Sequence, residues 1–291
     1  MDNFRFRTFK KDDIPVMRKV FNKAFEDYII PIQLNESAFN RKIIQKTNII
    51  FKFSIGSYFN RQLVGFLFQT INQYQHKKTA YNGGTGVLPA YRGNELTSQM
   101  YHYIIPKLIN EGVENCVLEV ISNNKSAIRS YEKIGFKKSK FYHCLKLDAE
   151  SNYIKNATRK NFRTELTQKP AWETYEKFCD YETSFLDNFN MLQKNIINET
   201  IIEAYDGDLL IGYVVYNQKM GRVSNIGVKK NYRGKGVGTF LIKQMHVNCR
   251  KKPIYILNVN ERSYNLLNFF LRLGFKNDID QFELKLKLAH Q

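Results

Sequence analysis

The chain has 291 residues, of which 43 % are hydrophobic and 14 % aromatic, so it is long enough for two domains and apolar enough to fill their cores. This composition excludes a mainly disordered protein, and no apolar run reaches the roughly 20 residues that span a bilayer. The first residues lack the apolar stretch of a secretory signal, so we expect a cytoplasmic protein.

The formal net charge of +18 attracts phosphates in general. The lysines are spread over the whole chain among Asn, Ile, Phe and Tyr, which favours an overall positive field, suited to a polyanionic small molecule, over a dedicated nucleic-acid surface. A nucleic-acid-associated protein remains one alternative. The cysteines and histidines show no metal-binding spacing, so we expect no metal centre and reduced thiols at Cys116, Cys144, Cys179 and Cys249.

The first predicted strand of interest ends at Val87 and is rich in glycine. Residues Gly83 to Gly86 form either a bulge at which a sheet splays, offering backbone donors to an acyl carbonyl, or a flexible strand end. Tyr-Arg-Gly follows at 91–93 and opens an amphipathic helix, which Pro106 is expected to kink or shorten.

A short apolar run over 117–121 predicts a buried strand, and the helix after it ends at Gly135. The polar stretch from Asp148 to Lys160 is the predicted linker, which gives an N-terminal domain at 1–148 and a C-terminal domain at 161–291. Aromatic residues at helical spacing predict a helix over Lys169 to Asn188; they are Trp172, Tyr175, Phe178 and Phe185.

Residues 221–275 repeat the order of residues 80–136, about 140 positions further along the chain. Again a strand ends in Gly-Val, Tyr-Arg-Gly follows, and a helix, a strand and a helix closing on Gly-Phe come next. The two passages indicate a duplication. Strands that alternate with helices predict an α/β layer with parallel pairing near these motifs.

The second Tyr-Arg-Gly turn continues as Arg233-x-x-Gly236-x-Gly238 between a strand and a helix. Glycines let the backbone approach a ligand, and the amides at the start of a helix point at negative charge, so this segment is typical of an anion cradle. Its spacing differs from that of the Walker loop and of the dinucleotide-binding fingerprint.

At these residues the chain resembles the GNAT superfamily of N-acetyltransferases. The family's motif A, [QR]-x-x-G-x-[GA] after a strand, is similar to the Arg233 turn, and its motif B is similar to Asn124-x-x-Ala-x-x-x-Tyr131-x-Lys-x-Gly-Phe. The resemblance covers about 55 residues in each half. It implies two tandem GNAT folds of the α/β class, each a splayed mixed β-sheet flanked by helices, with acetyl-coenzyme A (acetyl-CoA) in the splay.

The resemblance also implies coenzyme-binding roles in both halves. Strand residues near the two Gly-Val pairs bind the pantetheine arm, and the amides of the following turn face the pyrophosphate. The residues implied are Thr85, Gly86, Val87, Arg92, Gly93, Asn94, Thr97, Ser98 and Asn124 in the first half, and Ile226, Gly227, Val228, Arg233, Gly234, Lys235, Gly236, Val237, Gly238 and Thr239 in the second.

Each half departs from the family pattern in a different place. In the first, Glu95 and Thr97 replace both loop glycines, and Glu95 brings a like charge to the pyrophosphate site, unless its side chain points to solvent. In the second, Phe270 stands opposite Tyr131 and Asn258 opposite Glu119, so that half lacks both an acid and a base.

Glu119 and Tyr131 are 12 positions apart, as are the base and acid of the ribosomal-protein alanine acetyltransferases. The resemblance implies that Glu119 takes the proton of the acceptor ammonium and that Tyr131 protonates the departing thiolate. The structural alternatives are a strand glutamate that only pairs with a lysine and a helical tyrosine that only packs.

The sequence therefore predicts an acyl-CoA-dependent N-acyltransferase that moves an acetyl group directly onto a small-molecule or peptide amine, with catalysis in the first half. Catalysis in the second half and a non-catalytic coenzyme A-binding or partner-binding protein are the alternatives. The acceptor and the oligomeric state stay open, because this family selects its acceptor with variable early segments, here around 25–39 and 172–190.

Overall fold

A computed structural model describes residues 4–149, 162–250 and 252–289. The chain forms two compact units: unit 1 is Met1–Ser139 with Phe282–Gln291, and unit 2 is Lys140–Gln281. The predicted linker lies almost entirely outside the described residues. Composition places the domain limits at 148 and 161, whereas the described contacts give residues 140–148 to unit 2 and the end of the chain to unit 1.

The elements of regular structure follow the predicted order of strands and helices. Up to residue 134 they are β1 (Arg5–Thr8), α1 (Ile14–Ala24), α2 (Glu36–Phe39), β2 (Ile55–Phe59), β3 (Gln62–Tyr74), β4 (Lys77–Val87), α3 (Leu96–Asn110), β5 (Asn115–Ile121) and α4 (Lys125–Ile134). From residue 137 they are β6 (Lys137–Leu147), β7 (Arg163–Leu166), α5 (Trp172–Phe178), α6 (Phe189–Lys194), β8 (Thr200–Asp206), β9 (Leu209–Asn217), β10 (Arg222–Val228), α7 (Val237–Asn248), β11 (Ile254–Asn260), α8 (Tyr264–Arg272), β12 (Lys276–Asn277) and β13 (Gln281–Lys287).

Each unit contains a mixed sheet. In unit 1 the strand order is β1-β2-β3-β4-β5-β13, and in unit 2 it is β6-β11-β10-β9-β8-β7. The pairs β4–β5 and β10–β11 are parallel. The antiparallel pairs are β1–β2, β2–β3 and β3–β4 in unit 1 and β6–β11, β7–β8, β8–β9 and β9–β10 in unit 2. The expected α/β class, with a mixed sheet flanked by helices, is confirmed.

Both faces of each sheet are covered by apolar side chains, because successive strand residues point to opposite faces. In unit 1, Ala80, Cys116 and Leu118 pack with the residues of α3 and α4, whereas Phe66 and Phe68 pack with those of α1 and α2 on the other face. In unit 2 one core contains α7 and α8 residues and a smaller one contains α5 and α6 residues. Because the helices pack on the sheets, the loops that connect strands to helices are held in place at the edges of each sheet.

Two helices differ in length from what the sequence suggests. Helix α3 runs through Pro106 to Asn110, so the proline does not shorten it. Proline removes the hydrogen bond to the carbonyl of His102, but both residues are exposed, so water can solvate that carbonyl. Helix α5 ends at Phe178, because Cys179 is extended and the next residues turn away to contact the second Tyr-Arg-Gly loop.

All four cysteines are free thiols, and burial raises the pKa of the Cys116 thiol to about 12. Within the described ranges, no helix has the length and hydropathy needed to cross a membrane.

Candidate functional site

The parallel strands of each unit separate soon after they pair. In unit 1, β4 and β5 are in register only at Thr79–Tyr81 and Asn115–Val117, and in unit 2, β10 and β11 pair only at the first two residues of β10. The rest of β4, and of β10, has an open edge on that side. These two openings are the predicted splays.

A bulge lies at the same point of both splays. The register of β4 shifts at Gly83 and that of β10 at Ser224, which confirms the bulge interpretation of the glycine-rich segment. Glycine is needed at 83, because a Cβ there would lie 2.2 Å from Cγ2 of Thr47. The Asn82 side chain stabilises the bulge, since its Oδ1 accepts a hydrogen bond from Gly84 N at 2.9 Å.

The arginine of each Tyr-Arg-Gly turn fixes its loop to the strand before it. Arg92 donates from Nε to the carbonyl of Val87 at 3.3 Å and forms a bidentate ion pair with Asp27, at 2.6 and 2.7 Å. Arg233 donates from Nε to the carbonyl of Val228 at 3.0 Å and forms an ion pair with Asp180 through one nitrogen. The Arg92 guanidinium holds the pKa of Asp27 below its ordinary value. Both predicted coenzyme ligands therefore use their guanidinium groups to shape the loop.

The turn then opens a helix whose first amides receive no hydrogen bond from the N-cap side chain. Gly93 and Glu95 in unit 1, and Gly234 and Gly236 in unit 2, have positive φ, and neither α3 nor α7 is capped by the side chain of its N-cap residue. Uncapped N–H groups at a helix N-terminus are typical of anion-binding sites.

Glu95 adopts the glycine conformation with a φ of 53°. Its carboxylate lies 3.1 Å from Nζ of Lys133 on α4; both side chains are exposed, and both residues line the cavity of unit 1. The predicted like charge at the pyrophosphate site is therefore directed to a lysine at the surface. Left-handed backbone at a residue with a Cβ costs about 1 kcal/mol or more, which Gly236 avoids.

A cavity of about 940 Å³ lies in unit 1 beside this loop. Its wall includes Thr85, Gly86, Val87, Arg92, Gly93, Thr97, Ser98, Asn124 and Tyr131 among the predicted site residues. Asn94 and Glu119 are not among the lining residues, and the Asn94 side chain instead donates to the carbonyl of Tyr91 at 3.1 Å. The structure thus brings most of the predicted coenzyme ligands of unit 1 together with the predicted acid.

Tyr131 is 8 % exposed and belongs to a small polar network. Its hydroxyl lies 3.4 Å from Nδ2 of Asn82, which is also 2.8 Å from Oγ1 of Thr85 and 3.0 Å from the hydroxyl of Tyr101. Burial raises the pKa of Tyr131, although the contacts with Thr85 and Asn82 oppose this. The hydroxyl therefore keeps its proton near neutral pH, as a general acid must.

Glu119 lies on the other face of the sheet. The hydroxyl of Tyr81 donates to Oε2 of Glu119. Tyr81 and Asn82 are neighbours on β4, so their side chains point to opposite faces, one toward Glu119 and the other toward Tyr131. The predicted base and the predicted acid thus lie on opposite sides of β4, at the point where the splay begins.

Unit 2 has a cavity of about 600 Å³ beside its own loop. Its wall includes Ile226, Gly227, Val228, Arg233, Gly234, Gly236, Val237, Gly238 and Thr239, whereas the ammonium of Lys235 lies over the ring of Tyr232. Phe270 is fully buried, and Asn258, opposite Glu119 in the alignment, sits in an irregular part of β11 with a φ of 59°. Unit 2 therefore lacks side chains that correspond to the predicted acid and base, but its loop keeps the glycines of the motif.

Two features of the site are missed by the motif analysis. Asn82, the centre of the polar network, precedes the glycine-rich segment and has no signature of its own. The sequence F-x-D-Y occurs twice, ending at Tyr28 and Tyr181, and in each copy the aspartate binds the arginine of the turn. This third element of the duplication is visible in the sequence.

Comparisons with known proteins agree with this geometry. The Acetyltransferase (GNAT) family matches residues 20–136, and the Acetyltransferase (GNAT) domain matches residues 169–285. No curated protein matches the chain.

Among solved structures, a tandem GNAT protein from the clavulanic acid biosynthesis pathway has a TM-score of 0.75 at 12 % identity over 99 % of both chains. A GCN5-related N-acetyltransferase from Sphaerobacter thermophilus has a TM-score of 0.72 at 13 % identity, over 99 % of this chain and 97 % of that protein. A putative acetyltransferase from Pyrococcus horikoshii has a TM-score of 0.70 at 14 % identity, over 99 % of this chain and 91 % of that protein.

Two splayed sheets, each with an uncapped helix after an arginine-containing turn, define a protein with two acyltransferase-type domains. The chain belongs to the GNAT superfamily of acetyltransferases and contains two GNAT domains in tandem.

Proposed function

We propose that the protein is an acetyl-CoA-dependent N-acetyltransferase of the cytoplasm and that the reaction takes place in unit 1. The observation that carries the proposal is the position of Tyr131 and Glu119 on opposite faces of β4, beside an open strand edge. Unit 2 has Phe270 and Asn258 at these positions and therefore lacks both proton-transfer groups.

The residues present fit the coenzyme. The uncapped amides at the start of α3 suit its diphosphate, and the open edge of β4 offers backbone groups to the pantetheine arm. When bound, acetyl-CoA supplies the acetyl group as a thioester.

The side chains of unit 1 then account for direct transfer. Glu119 takes a proton from the ammonium of a small-molecule or peptide acceptor, so that the free amine can attack the carbonyl carbon. Backbone N–H groups near Val87 donate to the oxygen on which negative charge develops. The hydroxyl of Tyr131 would give its proton to the sulfur as the carbon–sulfur bond breaks, and the second proton lost by the acceptor nitrogen would restore the Tyr131 hydroxyl. The products are the N-acetylated acceptor and the free thiol.

The test is release of thiol from acetyl-CoA with a broad panel of amines. We expect Tyr131→Phe and Glu119→Gln each to lower the turnover by about 100-fold or more, the usual range for a general acid or base. Matched controls in the same unit are Tyr103→Phe on α3 and Glu132→Gln on α4, which lie outside the cavity wall and are expected to keep wild-type turnover. Wild-type turnover in both Tyr131→Phe and Glu119→Gln would refute the assignment.

The imperfection of both units favours one other function, a non-catalytic coenzyme A-binding or partner-binding protein: unit 1 has Glu95 in its loop, and unit 2 has Phe270 and Asn258 in place of the acid and the base. Tight binding of coenzyme A without thiol release in the presence of any amine would favour this function. Loss of thiol release on Gly236→Glu, with Tyr131→Phe still active, would move the reaction to unit 2.

A further inference from the structure

The tyrosines of the two F-x-D-Y segments occupy different places in their units. Tyr28 and Tyr181 both line the cavity of their own unit. In unit 1 the hydroxyl of Tyr28 accepts a hydrogen bond from Nδ2 of Asn124, at the start of α4, at 3.2 Å. Tyr28 thus lies on the side of the cavity that is formed by α4.

In unit 2 the equivalent side chain lies against the open strand edge. The hydroxyl of Tyr181 accepts a hydrogen bond from the backbone N–H of Ile226 at 3.1 Å and donates to Oδ1 of Asn225 at 3.2 Å. Burial raises the pKa of Tyr181 well above its ordinary value, so the hydroxyl keeps the proton that it donates. Tyr181 is therefore held to β10 by two hydrogen bonds.

The N–H of Ile226 is one of the outward-facing donors of β10. The backbone N–H of Lys229 donates to the carbonyl of Ile211, which lies on β9. Successive residues of a strand direct their backbone N–H and C=O groups to alternate edges. Ile226 and Val228 are three residues and one residue before Lys229, so their backbone groups face the edge away from β9. The carbonyl of Val228 is bound there by Arg233. Tyr181 thus occupies the one edge on which an extended ligand could add to β10.

We propose that unit 2 binds the phosphate-bearing nucleotide end of coenzyme A and excludes its pantetheine arm, because Tyr181 covers the open edge of β10. This inference rests on the proposed role of the glycine loops as diphosphate sites. The loop of unit 2 is suited to the nucleotide end, since Gly236 stands where unit 1 has Glu95, and Arg272 lines the cavity.

The chain offers a reporter that is specific for unit 2. Trp172 is the only tryptophan, and it lies on α5 with its ring 5.6 Å from that of Tyr175. Helix α5 leads directly into the segment that contains Tyr181, so binding in this cavity is expected to change the emission of Trp172. Two ligands are titrated: adenosine 3′-phosphate 5′-diphosphate, which is the nucleotide of coenzyme A without its pantetheine, and coenzyme A itself.

In the wild type we expect the two dissociation constants to agree within threefold. Tyr181→Ala opens the edge of β10, so coenzyme A is expected to bind at least tenfold more tightly than the nucleotide. Tyr181→Phe keeps the ring and frees only the N–H of Ile226, so the affinity for coenzyme A is expected to rise by about threefold. The matched control is Tyr28→Ala, which changes the same motif in unit 1 and is expected to leave the ratio for unit 2 at its wild-type value.

A wild-type protein that already prefers coenzyme A by tenfold would overturn the inference, as would an unchanged ratio in both Tyr181 variants. No response of Trp172 to either ligand would also overturn it, by removing the nucleotide site of unit 2. The thiol-release assay with Tyr131→Phe and Glu119→Gln concerns unit 1 alone, so failure there would be recognised separately.

Discussion

Units 1 and 2 share a backbone plan, but they differ in the polar side chains that their sheets carry. Around the splay of unit 1, four polar side chains share hydrogen bonds, and at the four corresponding positions of unit 2 the side chains are buried and apolar. The pairs are Asn82 and Val223, Thr85 and Ile226, Tyr101 and Ile242, and Tyr131 and Phe270. At these positions unit 1 has a wall of hydrogen-bonded polar side chains, whereas unit 2 has apolar side chains that pack in its core.

The opposite face is polar in both units but carries different groups. Arg222 of unit 2, at the position of Tyr81, forms a buried ion pair with Asp187 at 2.7 Å, and Ser184 also donates to that carboxylate. The corresponding face of unit 1 carries the hydrogen bond from Tyr81 to Glu119 beside the aromatic side chains Phe66 and Phe68. The duplicated fold thus has the proposed proton-transfer groups in one copy and the unmodified glycine loop in the other.

The buried ion pair gives the largest expected effect, on the stability of unit 2. Asp187→Ala leaves the guanidinium of Arg222 without its partner in a site where both residues are at most 5 % exposed. We expect a loss of about 3 kcal/mol or more in the free energy of unfolding, since an unpaired buried charge is costly. Urea unfolding followed by the emission of Trp172 measures this loss in unit 2.

Two further variants sharpen that measurement. Replacing both partners, as Arg222→Met with Asp187→Leu, is expected to cost less than Asp187→Ala alone, because no charge is then buried. Arg163→Ala removes an exposed ion pair with Glu165 in the same unit and is expected to have a much smaller effect. Equal losses for Asp187→Ala and Arg163→Ala would show that the buried pair does not stabilise unit 2.

Asn82→Val gives unit 1 the residue that unit 2 has at this point. We infer that Asn82 is a positioning residue, because its Nδ2 lies near the Tyr131 hydroxyl and its Oδ1 holds the bulge. A drop in kcat of roughly tenfold or more is expected, with a much smaller change in KM, since the acid is misplaced rather than removed.

A pH profile distinguishes this role from a merely structural one. The contact with Asn82 lowers the pKa of Tyr131, so its loss is expected to raise that pKa further and to move the alkaline limb of kcat to higher pH. In the Tyr131→Phe background, Asn82→Val should cause little additional loss. Full additivity of the two substitutions would contradict an action through Tyr131.

The parts of the site that follow from sequence are the local ones. The two turns, their helix starts and the bulge depend on glycine and on neighbouring residues, so the pattern around Gly83 and Gly236 predicts them. The pairing of Phe270 with Tyr131 follows in the same way, because both stand in one helix of a repeated motif.

The remaining features depend on contacts between distant segments. The role of Asn82 arises from Tyr101 and Tyr131, which come from two different helices, and no spacing encodes that meeting. Strand β13 brings Leu284 and Leu286 into the core of unit 1, yet an alternating strand at the end of the chain fits either sheet. The end of α5 is set by Asp180 reaching Arg233, against a helical periodicity that continues.

The smallest expected effect concerns Glu95, at which the loops of the two units differ. Glu95→Gly removes a left-handed residue with a side chain and also a negative charge beside the helix amides. It also releases Lys133 from its exposed ion pair, so an additional cation can face the cavity. We expect coenzyme A to bind unit 1 about three- to tenfold more tightly, in line with the modest energies of exposed charges and of backbone strain.

Calorimetry in a Gly236→Glu background confines this titration to unit 1. Glu95→Gln is the matched control, because it keeps the strained backbone and removes the charge alone. If charge dominates, Glu95→Gln gives most of the gain, and the gain shrinks at high salt. If backbone strain dominates, only Glu95→Gly binds more tightly, and salt has little influence. Unchanged affinity in both variants would mean that Glu95 does not weaken the binding of coenzyme A to unit 1, because its pair with Lys133 already neutralises the charge.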